Sequence, residues 1–209
     1  MITLTPITTP EKLEEYYRFR YQIYSESRLK GFVEEADGMD KDEYDERAWH
    51  FGWYVDGQLA GCIRFIEADG SEAPLPMFTY LPEGPARTAV QDYLAGRKAK
   101  GQRTIEASRF CLAPEHRGLR NARDLVLAMV MTMQPLGFEH GLFDCNNTHA
   151  KIYRILGFDV LPNAVDFEVS GLSVPSTTMT YDYAKLIARN EELLKRMGFT
   201  QGRGMSRAA

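Results

Sequence analysis

The sequence predicts a single α/β domain with a mixed, mostly antiparallel central sheet flanked by helices. Three observations carry that reading. Hydrophobic residues make up 44% of 209, enough to build one core without disulfide or metal staples. Residues 49–55 and 58–66 are β-rich runs joined by Asp56-Gly57, a pair that accepts positive φ at both turn positions. From residue 103 onward, strand-like and helical periods alternate, as they do where helices cover a sheet.

Each element has a local justification. Thr9-Pro10-Glu11 supplies the capping hydroxyl, early Pro and early acid of a helix start. Leu13, Tyr16, Tyr17, Arg20, Tyr21, Ile23 and Tyr24 then recur at helical spacing to about Arg28, and Gly31 is the stop. Residues 34–46 hold eight acids and one Lys without any period, which reads as a loop. After the hairpin, residues 69–85 are rich in Pro, Gly and acids and read as a long surface excursion. A helix follows from about Ala86 to Lys98, and residues 103–112 form a strand that stops before Pro114. A Gly/Arg/Asn turn leads into a long apolar helix ending near Pro135-Leu136-Gly137. Residues 141–145 are a strand, and Asn146 or Asn147 starts a helix that runs to Leu156. Residues 157–161, 167–174 and 177–183 are further strand candidates, and residues 182–197 an amphipathic helix. The domain spans residues 1–200, with 201–209 as a flexible tail.

Composition narrows the function. Twenty-five Lys and Arg against 29 Asp and Glu give a net charge of -4, which argues against a dedicated nucleic-acid binder. Cys62, Cys111 and Cys145 sit in separate apolar runs and read as small buried hydrophobes, not as a disulfide framework or zinc site. His50, His116, His140 and His149 lack metal-ligand spacing, and the acids from Asp40 to Asp45 lack the glycine of a calcium loop. No apolar run approaches the ~20 residues that span a bilayer, and the N-terminus lacks a secretory signal pattern. The expectation is a cytoplasmic protein without membrane or metal partners.

One turn has the makings of an anion site. Glu115-His116-Arg117-Gly118-Leu119-Arg120-Asn121-Ala122 precedes the long helix, where unpaired N–H groups and the helix dipole favour phosphate. Arg117 and Arg120 could grip phosphate oxygens bidentately. Followed by a strand, a short helix and Tyr153-Arg154-Ile155-Leu156-Gly157-Phe158, this order resembles the GNAT-type N-acyltransferases. In that fold the turn holds the pyrophosphate of coenzyme A or the phosphopantetheine of a carrier protein.

The N-terminal half sharpens the resemblance. Tyr17-Arg18-Phe19-Arg20-Tyr21-Gln22-Ile23-Tyr24, Gly31-Phe32, Asp42-Glu43-Tyr44-Asp45, Gly61-Cys62-Ile63-Arg64-Phe65 and Glu106-Ala107-Ser108-Arg109-Phe110 follow in that order. The series is similar to the acyl-homoserine lactone synthases of bacterial quorum sensing, a branch of the same fold, over about residues 13–112. The GNAT-like pattern continues to about 160. The resemblance implies a GNAT-like domain with a bulged fourth strand, residues 103–112. It implies that an acyl thioester, on acyl carrier protein or coenzyme A, acylates the amine of S-adenosylmethionine before lactone closure, with no cofactor beyond these substrates. It further implies that Glu106 and Arg109 are catalytic and that Arg20, Phe32, Asp42, Asp45 and Arg64 bind the amine substrate. Phe110, Cys111 and Leu112, with Arg117, Gly118, Arg120 and Asn121, would bind the acyl donor. Phe32 stands where the family usually has Trp. The related N-acyl amino acid synthases, which acylate a plain amino acid, are the alternative, and a non-catalytic thioester or nucleotide sensor is a third reading.

The chemistry asks for the same residues. An α-ammonium must lose its proton before it can attack a thioester, and Glu106, inside a strand whose continuation is core-like, is the candidate base. Glu106 and Arg109 are three apart, so a regular strand would put them on opposite faces. Both reach one site only if the strand bulges between them. A regular strand with a salt-bridged Glu106 would favour the sensor. The run Met129, Met131, Met133 reads as core, or as the wall of an acyl-chain pocket.

Overall fold

The computed structural model describes residues 2–27, 30, 37–69, 74–170 and 172–198. Seven strands form one sheet: β1 (Leu4–Pro6), β2 (Trp49–Val55), β3 (Gln58–Glu67), β4 (Thr104–Leu112), β5 (His140–Asn146), β6 (Asp159–Val160) and β7 (Ser176–Asp182). Their spatial order is β1-β2-β3-β4-β5-β7-β6, and β4 with β5 is the one parallel pair among the described residues. Helices α1 (Pro10–Ser25) and α2 (Pro85–Ala99) lie on one face. On the other lie α3 (Leu119–Met133), α4 (Asn147–Leu156), α5 (Tyr183–Arg189) and α6 (Glu191–Arg196).

The local signals work as the residues dictate. Thr9 caps α1, its hydroxyl accepting from the Lys12 amide at 3.4 Å. Asp56 and Gly57 turn the β2–β3 hairpin with φ of 49° and 80°. Asn146 caps α4 by accepting from the Thr148 amide at 2.9 Å. Side chains alternate across the strands, so Ile63, Phe65, Ile105, Ala107, Phe143 and Met179 meet α3 and its neighbours in the larger core. Met129 and Met133 are buried in that core, with Met131 packed at its edge. The three cysteines are buried and free.

Four expectations need correction. Residues 69–85 are not simply a surface excursion: Leu75, Met77 and Leu81 are buried around a 3-10 turn at Pro76–Thr79 and roof the α2 side of the sheet. The acidic loop contains a second 3-10 turn, Glu43–Arg47, closed by reciprocal bonds between Asp42 and Asp45. Residues 167–174 form no strand among those described. Phe167 makes one bridge to Ser176, and the chain bends to bury Phe167 and Val169 beside α2. The single helix over 182–197 is two helices, because Asn190 turns its amide side chain onto the Leu156 and Leu186 carbonyls, both at 2.8 Å. Strand β1 was not anticipated at all, and the 201–209 tail, like Gly31, lies outside the described residues.

Gly141 sits where β5 passes beneath the Tyr181 ring, and a Cβ there would overlap the ring atoms. Gly141→Ala therefore overpacks the site and should cost about 1–3 kcal/mol. A fall in melting temperature of roughly 2–4 °C per kcal/mol, read by calorimetry, checks this.

Candidate active site

The face of the sheet toward α1 and α2 is polar between two apolar patches. Arg64 on β3 and Glu106 and Ser108 on β4 point to it, the alternates of the core residues Ile63, Phe65, Ile105 and Ala107. To one side, Tyr16, Tyr17, Ile23 and Tyr24 of α1 pack over Cys62 and Cys111. To the other, Leu75, Met77, Leu81 and Val90 pack over Ile66 and Leu142.

A knot of three arginines and three aspartates fills one end of this strip. Arg20 and Arg64 are both 0% exposed. Arg20 donates through Nε to Asp40 at 2.8 Å and through Nη1 to Asp45 at 2.8 Å. Arg64 donates through Nη1 to Asp42 at 2.6 Å and to Asp45 at 3.0 Å, and through Nε to the Ser108 hydroxyl at 3.1 Å. Arg109 joins with Nε 2.9 Å from Asp40 and Nη2 3.3 Å from Asp42, its guanidinium over the Tyr24 ring. Burial alone would raise the Asp45 carboxyl. Arg20 and then Arg64, with the Asp42 amide, outweigh it and hold Asp45 at about 2. His50 closes the knot, its Nε2–H donating to the Asp45 carbonyl oxygen at 3.0 Å, and burial keeps its imidazole neutral by lowering its pKa.

The bulge is present. Cys62 pairs with Cys111 and Arg64 with Ser108, so two steps along β3 match three along β4. The extra residue is Arg109, at φ 54°, a conformation uncommon for a residue with a side chain. The insertion turns Cys111 to the α1 side and Leu112 to the α3 core. It also lets Glu106 and Arg109 serve the same face. They are not paired: Arg109 belongs to the aspartates, and Glu106 has no ion-pair partner among the described residues. Beside the bulge the sheet opens. β4 and β5 pair only through Thr104–Glu106 and His140–Leu142, and Ala107 onward has no partner on β5 among the described residues. Beyond Glu106, backbone N–H groups on this edge are not spent on β4–β5 bonds among the described residues.

Glu106 lies at the closed end of the cleft, 1% exposed. Burial, reinforced by the charge of Asp144, pushes its carboxyl up to about 8, against the Met77 amide, Arg64 and Arg109. The Met77 N–H donates to Glu106 Oε2 at 3.3 Å.

At the open end, the turn before α3 has Gly118 at φ 150°, where a side chain would be strained, with open space around its Cα. Arg117 donates to the Leu112 carbonyl and Asn121 to that of His116, which shape the turn. Arg120 is 87% exposed at its side chain, held loosely 4.0 Å from Asp124. Of the residues expected to bind the acyl donor, Cys111 and Leu112 are buried, so only their backbone could serve. Phe110 packs against the α3 core. Arg120 and Arg123 of α3 with Ile152 and Ile155 of α4 and Leu193 of α6 line a groove of about 690 Å³. This brings α3 and α4 side by side, with Asp124 among the arginines of the groove.

Phe32 lies outside the described residues. Sequence reasoning passed over Asp40, His50, Tyr80 and Asp144. Asp40 was visible only as a member of an acid run, and His50 as a lone imidazole on a strand. Among the described residues no group of three or more His, Cys, Asp or Glu is arranged to hold a metal ion, and no helix is long and apolar enough to cross a membrane.

The chain matches the protein family described as N-acyl amino acid synthase FeeM over residues 15–182. Several solved structures share the fold. FeeM, an N-acyl amino acid synthase from uncultured soil microbes, is 16% identical with a TM-score of 0.66, over 90% of this chain and 94% of that one. BjaI, a CoA-dependent acyl-homoserine lactone synthase solved with SAM and isopentyl-CoA, is 19% identical with a TM-score of 0.67, over 99% and 94%. An acyl-CoA N-acyltransferase from Pseudomonas aeruginosa is 17% identical with a TM-score of 0.54, over 86% and 99%. A search of the curated proteins finds no match.

Two opposite pH effects follow from the strip. Asp45 is held below its ordinary 3.8, so its stabilisation is complete above that value and is lost as pH falls through about 2. Asp45→Asn should remove it at neutral pH, leaving two buried guanidiniums short of charge at a cost of about 3–5 kcal/mol, measured by denaturant unfolding. Glu106 is raised from its ordinary 4.5, so the native state binds the extra proton and stability declines as pH rises from there through about 8. Glu106→Gln should therefore melt higher than the parent at alkaline pH, with the difference vanishing in mild acid.

Proposed function

Because the chain belongs to the family of the N-acyl amino acid synthase FeeM, we propose that it transfers the acyl group of an acyl thioester to the α-amine of an amino acid. It is an acyltransferase by family and of the GNAT-like fold by architecture. The observation that carries the substrate-level reading is the β4 bulge, which brings Glu106 and Arg109 to one face where β4 and β5 part.

The roles follow from charge and access. Glu106 takes the ammonium proton. A carboxyl at about 8 is a far stronger base than an ordinary carboxylate, so taking the ammonium proton is much less uphill. Arg109, partly exposed, and Arg64, whose Nη2 is buried with no hydrogen-bond partner among the described residues, suit the substrate carboxylate. Freed N–H groups along the β4 cleft would polarise the acyl carbonyl, each well-aimed donor contributing about 3 kcal/mol to the barrier. The donor's phosphate-bearing arm would meet the Arg117–Asn121 turn, with Gly118 allowing close approach.

Asp40, Asp42 and Asp45 all serve arginines, so they brace the guanidiniums and have little charge to spare for a second cation. That favours a plain amino acid over a sulfonium substrate. The motif series of the acyl-homoserine lactone synthases supports the second reading, acylation of S-adenosylmethionine followed by lactone closure.

Incubation with acyl-CoA and carrier-bound thioesters, the common amino acids and S-adenosylmethionine, read by mass spectrometry, separates the two. An N-acyl amino acid with free thiol is expected; an acyl lactone with methylthioadenosine would assign the second. Glu106→Gln should still bind both substrates while turnover falls by about 10²–10⁴-fold, partly restored at high pH where free amine is abundant. If a carrier protein is the donor, Arg120→Ala and added salt should each weaken its use while sparing a free coenzyme A thioester, because steering by exposed charge is screened.

A further inference from the structure

The acyl-transfer reading uses one carboxylate, yet the same strip buries a second beside it. Glu106 is in parallel register with Leu142, so Asp144, two residues on, emerges from β5 on the same face. Thr178, its register partner on β7, donates to Asp144 Oδ1 at 2.6 Å. Oδ2 is buried and accepts no hydrogen bond among the described residues. Neither carboxylate has an ion-pair partner among the described residues. The groups facing them are the Met77 amide and Tyr80 hydroxyl from the 3-10 segment, Thr178 from β7, and the more distant guanidiniums of Arg64 and Arg109.

Resting on the acyl-transfer reading, we propose that Glu106 and Asp144 form a charge-coupled carboxyl pair in which Asp144 is the positioning residue that keeps Glu106 strongly basic. Two acids in one dry site cannot both ionise cheaply. Burial raises Asp144 to about 6, opposed by Thr178 and Tyr80, while burial and the Asp144 charge raise Glu106 to about 8. At neutral pH the pair therefore holds one proton, and it titrates as a unit. The proton balance of the reaction suits such a store. In the form with both carboxyls ionised, which grows as pH rises toward about 8, Glu106 takes one proton from the ammonium, whose nitrogen bonds the thioester carbonyl carbon. The C–S bond then breaks as the adduct collapses, the adduct nitrogen loses its second proton through the pair, and the thiolate receives it. One proton is released in net.

Infrared difference titration of the full chain reads the protonated carboxyls without any substrate. The parent should keep a buried protonated carboxyl at neutral pH that ionises near about 8. Asp144→Asn should move that ionisation down by about one pH unit or more, because the like charge is gone. Glu106→Gln should abolish the upper step. In turnover, Asp144→Asn should shift the acid limb of kcat/KM in the same direction and lower kcat, with KM little changed. Asp144→Ser, which also removes the charge, substitutes if the Asn variant does not fold. An unmoved Glu106 titration in the folded variant overturns the pair, even if acyl transfer proceeds. A shifted titration without transfer from any thioester leaves the pair standing and overturns the acyl-transfer reading.

Discussion

Two guanidiniums with no solvent exposure set the terms for this fold. A buried cation is tolerable only with opposite charge and well-placed acceptors around it. Arg20 and Arg64 solve the problem jointly by sharing Asp45, which also accepts from the Asp42 amide. That carboxylate links α1, the 3-10 turn at Glu43–Arg47 and β3 into one body. Asp40 and Asp42 extend the link to Arg109 on β4. The left-handed backbone at Arg109, a cost of order 1–3 kcal/mol for a strained residue, persists because the knot supplies two acceptors where its side chain must go. The bulge and the knot are thus one device, each giving the other a reason to exist.

The inserted residue has consequences beyond itself. Downstream of the bulge the alternation of β4 changes phase, so Cys111 faces α1 while Leu112 faces the α3 core. Without the insertion the apolar end of the strand would point the wrong way, since a one-residue slip exchanges the faces. The same irregularity coincides with the loss of pairing to β5 beyond Glu106. An opening in the middle of a sheet exposes backbone donors, which a regular ladder would consume. Rigid strands therefore form the floor of a polar slot, which the Pro76–Thr79 segment covers on the α2 side.

Much of this was legible in the residues. Glu106 and Arg109, three apart yet both needed, demanded a bulge, and the structure puts it within a residue of Arg109. The Asp56-Gly57 hairpin and the Thr9 and Asn146 caps act through local chemistry that short windows contain. What escaped was set by distant partners. β1 is three residues long and exists because β2 offers it an edge. Residues 182–197 have an unbroken helical period, but Asn190 finds the Leu156 carbonyl at the end of α4 and breaks it. Met77 looked like part of a polar excursion and is fully buried, donating its amide to Glu106. Asp144 sat unremarked in an apolar strand, because only the parallel register of β4 and β5 reveals what it faces.

The strip holds carboxylates in opposite electrostatic conditions. Asp45 and Glu106 are both buried, and in both cases desolvation pushes toward the neutral acid. Asp45 has two guanidiniums bonded to it and stays ionised to about 2. Glu106 has a single backbone N–H and an acidic neighbour, and holds its proton to about 8. Arg64 marks the boundary: it is bonded to Asp42 and Asp45 and acts on Glu106 only at a distance. The contrast divides the labour. Ionised Asp45 stabilises the native state, so that end of the strip holds the structure together. Ionised Glu106 destabilises it, and the free energy stored in that buried charge makes the group a stronger base than an ordinary carboxylate.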